Sequence, residues 1–269
     1  INVALAKNGF MLEASESSNQ EKITINHISS LNVSGFEHVR NIYSFKKNAK
    51  LTIIENFYTL HEPISRVNNT VSQWILEEGA VVNLYSINSW QDKVGSRSIT
   101  SSFIYQKKSS VASLFHSYTN VNSIKNNVHV RLEDEHAVCN LYSISLLNKS
   151  NCVENDIFIE HVKKNCQSQQ VYKGVFCDSS KGRFDSLVLV HKDAQKTSAV
   201  QQNNNILLSE RSVVHSNPQL EIFADDVECA HGSTVGQIDD NALFYLRSRG
   251  IGQRAAYSIL LKAFLSSVV

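Results

Sequence analysis

The chain carries almost no net charge: 26 Lys and Arg stand against 25 Asp and Glu over 269 residues, a formal balance of +1. Phosphate-dominated binding needs a basic surplus gathered on one face, so no nucleic-acid partner is expected. Long apolar runs are missing as well. None approaches the roughly 20 residues that cross a bilayer, so no membrane span is expected. No signal peptide is visible; the chain starts at Ile1 rather than Met, which is expected of a trimmed or partial protein. The five cysteines (Cys139, Cys152, Cys166, Cys177, Cys229) form an odd set without a Cys-x-x-Cys. That excludes a disulfide framework and a zinc ribbon, and points to a reducing compartment.

Chemical signatures are equally sparse. There is no G-x-x-x-x-G-K-[ST] and no G-x-G-x-x-G, so any ATP hydrolysis in a system this chain serves must come from another subunit. Neither Gly-x-Ser-x-Gly nor His-Glu-x-x-His occurs, and the chain is not expected to be an enzyme. Proline is scarce, with two in the whole chain, while β-branched, aromatic, Asn and Ser residues are plentiful. Alternating segments stand out at Lys50–Glu55, Ala80–Ile87, Asn127–Leu132 and Ser186–Val190, each about one strand long with polar turns around it.

One repeat is plain. Ala80-Val-Val-Asn-Leu-Tyr-Ser-Ile87 recurs as Ala137-Val-Cys-Asn-Leu-Tyr-Ser-Ile144. Related turn-then-apolar motifs are anchored at Ala49, Ala80, Val111, Ala137, Cys166, Ala194 and Val213, at intervals of 31, 31, 26, 29, 28 and 19 residues. A unit of that size, with the strand period of two rather than 3.6, predicts a β-solenoid in which each coil buries its apolar face on its neighbours. Cys139 takes the place of Val82 in the repeat and reads as a small core hydrophobe. Cys152 lies among polar residues and reads as exposed. His136, His161 and His191 fall at predicted turns, where a solvated imidazole is the default; His161, which follows the predicted strand Asp156–Glu160, is the one of the three expected to be structurally specific.

The end of the chain differs. Cys229 and His231 stand two apart in an extended run, so they share a strand face with Val227. Thiolate and imidazole are both iron and zinc ligands, but two ligands do not complete a site. Asp225, Asp226 and Glu228 lie nearby, and alternation puts only Asp225 on the same face. Beyond Gly236 the pattern becomes helical. Asp239 is the predicted N-cap, Gly250 the C′ residue, and a second helix is predicted from Gln253. The chain thus divides into a β core over 1–237 and a helical segment over 238–269. The helices are expected to cap the open end of the solenoid, to dock another protein, or both.

These same residues carry a family resemblance. Pro218–Asp240, with its Cys-Ala-His-Gly and Val-Gly-Gln-Ile-Asp-Asp, then Phe244–Ile251, resembles the signature of the SufB/SufD family of iron–sulfur assembly scaffolds. Upstream, Glu160-His161, Val171–Gly174, Ala194–Thr197 and Gln201–Ser209 are similar to that family's middle region. The Cys-x-His-Gly form is closer to the SufD branch than to the sulfur-accepting SufB branch, which is the alternative. The resemblance implies a right-handed parallel β-helix that pairs with a SufB-like paralogue, or with itself as a homodimer in isolation. It also implies docking of a SufC-like ABC-type ATPase, for which Phe244, Arg247, Arg249, Tyr257, Leu260 and Phe264 are the candidate contacts. A transient iron–sulfur cluster at the subunit interface would take ligands from Cys229 and His231, with none held stably by the isolated chain. No residue pattern assigns a flavin. The implied compartment is the cytoplasm, or the plastid stroma in a plastid-bearing organism. A carbohydrate-binding or carbohydrate-cleaving β-helix is the reading from a different class. It needs acidic or aromatic ladders along one face, and with Trp74 and Trp90 the only tryptophans the sequence supplies none.

Overall fold

The computed structural model describes residues 2–16, 21–29, 35–59, 66–89, 96–119 and 121–268; Trp90 lies outside them. After a short helical turn, α1 (Asn2–Leu5), sixteen strands alternate between two parallel sheets. One sheet stacks β1 (Met11–Ala14), β3 (Gly35–Phe45), β5 (Arg66–Leu76), β7 (Arg97–Gln106), β9 (Ser123–Leu132), β11 (Cys152–His161), β13 (Lys181–Val190) and β15 (Val213–Ile222) in that order. The other stacks β2 (Glu21–Ser29), β4 (Lys50–Thr59), β6 (Val81–Ser89), β8 (Val111–Thr119), β10 (Val138–Leu147), β12 (Gln167–Phe176), β14 (Thr197–Leu207) and β16 (Val227–Gly236). Each coil contributes one long strand to each sheet, so the solenoid is flattened and its lumen is a two-sheet sandwich. Two helices, α2 (Asp240–Ser248) and α3 (Gln253–Ser266), close the chain.

Alternation explains which residues face the lumen. In β10 and β11, every second side chain is buried. The recurring Ala-Val-x-Asn-Leu-Tyr-Ser-Ile segments lie two coils apart in one sheet, where Val82, Ala112 and Cys139 form one inward ladder and Leu84, Leu114 and Leu141 the next. All six are buried. Burying a leucine contributes about 1.5–3 kcal/mol, and parallel pairing repeats that gain at each rung.

One edge of the sandwich is a tight turn built the same way in six coils. Asn48, Gly79, Ser109, His136, Asn165 and Lys196 hold positive φ there, between 54° and 70°. Asn and His tolerate this region better than most residues. The N–H groups of Asn48, Gly79, Ser109 and Asn165 each donate at 2.9 Å to a carbonyl in the next coil. In these turns the strain is offset by a bond that locks successive coils together. The residue after each turn points inward, giving a fully buried corner ladder of Ala49, Ala80, Ser110, Ala137, Cys166 and Thr197.

That ladder corrects three of the repeat anchors. The true equivalents are Ser110 rather than Val111, and Thr197 rather than Ala194. Val213 pairs with Lys181 and opens β15 in the opposite sheet, so it belongs to the other edge of the coil. His161, the histidine expected to be structurally specific, ends β11 rather than lying in a turn and is fully buried. Its Nε2 lies 2.8 Å from Ser168 Oγ and its Nδ1 3.5 Å from Thr197 Oγ1, inside the corner ladder. Burial holds its pKa down at about 4. Cys152 is half-buried rather than exposed. Pro218 sits on β15, the edge strand of its sheet, where a missing N–H is tolerated.

Candidate metal-ligand pair and docking face

The last rung positions the candidate ligands. β16 pairs only with β14, with Ala199 opposite Cys229 and Gln201 opposite His231. Ala199 and Gln201 face the lumen and are buried. Register therefore puts Cys229 and His231 on the lumenal side too, side by side as alternation predicted. Among the described residues no further coil covers them. Residues along β16 that would be buried in a middle coil are half-buried or exposed, and from His231 to Gly236 all are exposed.

Cys229 is half-buried against the apolar core, and burial raises its thiol pKa, opposed by a hydrogen bond from the Ala199 backbone. Burial favours the neutral thiol, and a thiol ligates a metal only after its proton has passed to solvent or a base. His231 is exposed one rung above Gln201. The Gln201 amide donates to Ser186 Oγ at 3.1 Å and to the Gln219 carbonyl at 3.3 Å, and its own Oε1 is buried without a partner among the described residues. Sequence reasoning missed Gln201; the signal available was its inward register beneath His231. Among the described residues no group of three or more His, Cys, Asp or Glu is placed to hold a metal ion. The pair is an incomplete donor set.

Asp225 does not join it. The strand begins at Val227, so Asp225 and Asp226 lie in the preceding bend, where the Asp226 N–H donates to Gln195 Oε1 at 2.9 Å. The remaining thiols are free. Cys139 is buried with a pKa pushed up to about 12, and the Cys166 Sγ lies 3.1 Å from the Asp134 carbonyl with its pKa likewise raised by burial. Burial disfavours the thiolate form of both.

The helices follow their sequence signals closely. Asp239 caps α2 by accepting from the Asn241 N–H at 2.8 Å. At the other end Gly250, with φ of +83°, takes a left-handed conformation that a side chain would strain. The N–H of Gly250 donates to Arg247 O and that of Ile251 to Leu246 O, a Schellman closure. The helices do not cover the open rung. α3 lies back along the outer flank of the second sheet, where Lys173 of β12 donates to the Phe264 carbonyl at 2.8 Å and to Ser267 Oγ, and stands 4.6 Å over the Phe264 ring. The six candidate docking residues therefore divide. Phe244, Arg247 and Arg249 are exposed, Phe244 by 74%. Tyr257, Leu260 and Phe264 are half-buried, and the last two line a groove of about 370 Å³ against Thr234–Asp239.

Residues 27–264 match the SUF system FeS cluster assembly, SufBD core domain. The chain belongs to the SufB/SufD family. It is 30% identical over 233 residues to the iron-sulfur cluster assembly protein SufD of Escherichia coli (strain K12), covering 86% of this chain and 54% of that one. It is 27% identical over 231 residues to a SufBD family protein of Synechocystis, with coverage of 83% and 51%. A third relative, the chloroplastic protein ABCI7 of Arabidopsis thaliana, is 26% identical over 227 residues, with coverage of 83% and 47%. The SufD-named relatives bear out the resemblance read from the Cys-Ala-His-Gly segment. The chain spans about half the length of these relatives. No helix among the described residues is long and apolar enough to cross a membrane.

Proposed function

We propose that this chain is a non-enzymatic, SufD-like scaffold in SUF iron–sulfur assembly, which pairs through its terminal rung with a SufB-like paralogue. Cys229 and His231 lie on the lumenal side of an edge strand with no rung above it, and that single observation carries the reading. A strand from a second chain laid against β16 would satisfy its free backbone groups and bring further donors to the same face. The cluster itself is cargo assembled at that junction. In isolation, a second copy of this chain could take the partner's place.

The exposed Phe244, Arg247 and Arg249 on α2 are the proposed contacts for a SufC-like ATPase. Tyr257, Leu260 and Phe264 then hold the helical pair to the solenoid rather than touch the partner. The free thiols and the chloroplastic relative support a reducing compartment, the cytoplasm or a plastid stroma.

The test is reconstitution of the complex with its paralogue and ATPase, with cluster content measured for the wild type and for His231→Ala. Lower cluster content with partner binding intact is expected. Normal assembly by the variant would remove His231 from the site.

A further inference from the structure

The lumen of the first coils is not filled. A cavity of about 210 Å³ runs between the two sheets, from His27 and Glu37 to Tyr118, Ile124 and Asn126. It stops where a second apolar cluster, including Tyr118, Ile124, Leu147, Val153 and Phe176, closes the sandwich. Its volume is several times the roughly 30 Å³ that one water occupies in the liquid.

The wall has a definite chemistry. Among the described lining residues there is no Lys or Arg, yet Glu55 is 8% exposed and faces the cavity. Its carboxylate accepts from the Tyr43 hydroxyl and lies 3.7 Å from His27 Nε2. His116, on the same wall, is held neutral at pH 7 because burial lowers its pKa to about 4. A buried carboxylate is ordinarily paired with a cation. Two nearly buried groups on the same wall have no partner among the described residues: Asn41, 1% exposed, offers an unsatisfied Oδ1, and Trp74, 2% exposed, an unsatisfied Nε1–H. The Trp74 ring is fixed by stacking on Tyr43 at 3.7 Å, and His27 stacks on Phe57 at 4.5 Å.

We propose that this lumen is a binding site for a small organic cation of the amino-alcohol class. The ammonium group, a donor only, matches the Glu55 carboxylate and Asn41 Oδ1, while a hydroxyl supplies the acceptor that the Trp74 N–H lacks. The aromatic walls favour a cation over a neutral molecule, and the buried Glu55 carboxylate, with no Lys or Arg among the described lining residues, disfavours phosphates and carboxylates. The site lies far from the Cys229–His231 rung and is independent of the role assigned there.

Ethanolamine is the probe, with 1-propanol as its neutral counterpart and acetate as the anion. Ethanolamine should raise the Tm of the chain by about 3 °C at tenfold over its Kd, with no rise for propanol or acetate. Glu55→Gln keeps an acceptor for Tyr43 and should weaken ethanolamine binding at least tenfold in titration calorimetry. The indole N–H resonance of Trp74, assigned with Trp90→Phe, should move on titration of the wild type, a readout that does not depend on the folding of Glu55→Gln. An unmoved indole, an equal response to propanol, or undiminished binding by Glu55→Gln would overturn the proposal and leave the cavity to water.

Discussion

The middle of the solenoid and its last rung are made of the same strand, used differently. In β9 to β13 the inward side chains meet neighbours above, below and opposite, and Val130, Leu132, Ile159 and Val188 are fully buried. In β15 and β16 the same alternation continues; beside Leu220 and Val227, which still pack on the core, the lumenal positions carry Ser216, Pro218, His231 and Ser233, and Ser233 reaches across to Ser216 at 2.8 Å. A coil with a neighbour on each side can be apolar inside. A coil with one neighbour exposes its lumen to water, and there polar residues and candidate ligands cost little. The contrast separates what holds the fold from what is available to a partner.

The comparison is broken most directly in the middle. Leu141→Ala removes a buried side chain from the Leu84–Leu114–Leu141 ladder and should cost about 2–5 kcal/mol in denaturant unfolding. A loss below 1 kcal/mol would mean the middle coils are not close-packed.

Acid sharpens it next. His116 and His161 have folded pKa values near 4, below the unfolded value of 6.5. Between these values the unfolded chain binds more protons, so stability is full above pH 6.5 and falls as pH drops toward 4, by about 3 kcal/mol for each histidine. The denaturant midpoint followed from pH 7 to 4 measures the fall, and His161→Gln should remove about half of the slope.

A smaller effect is expected where the helices meet the sheet. Lys173→Ala removes the two hydrogen bonds and ring contact that hold the end of α3, a loss of about 1 kcal/mol. Faster amide exchange confined to α3, with β12 unchanged, is the expected signature. Smallest of all, His231→Ala on the open rung should change stability by less than about 0.5 kcal/mol in the same unfolding assay. A large loss there would make the residue structural.

The parts of the fold that repeat were legible in the sequence, because Ala80–Ile87 and Ala137–Ile144 write one coil twice and alternation assigns their faces. The helix ends were legible as well, since Asp239 and Gly250 act through local geometry. What failed depended on more than local pattern. Ala194 looked like the corner, but a longer turn moves that role to Thr197. His161 could be singled out by the strand before it, but nothing in its neighbourhood shows that Ser168 and Thr197 from two other strands enclose it. Cys229 and His231 could be found from their spacing, whereas their uncovered position required the count of rungs. Glu55 was readable in principle: in Lys50–Glu55 it shares the inward face with Leu51 and Ile53, a carboxylate where the core belongs.

The stacked coils also act as a ruler. Glu55 lies on β4 and Cys229 on β16, six inter-strand steps apart in one sheet. At about 4.8 Å per step they are separated by roughly 29 Å. No small molecule spans that length, and no side chain touches both ends. Substitutions at Glu55 and at His231 should therefore be additive, each leaving the other's phenotype untouched. A parallel solenoid in this way holds the two candidate sites at fixed, insulated heights along a single axis.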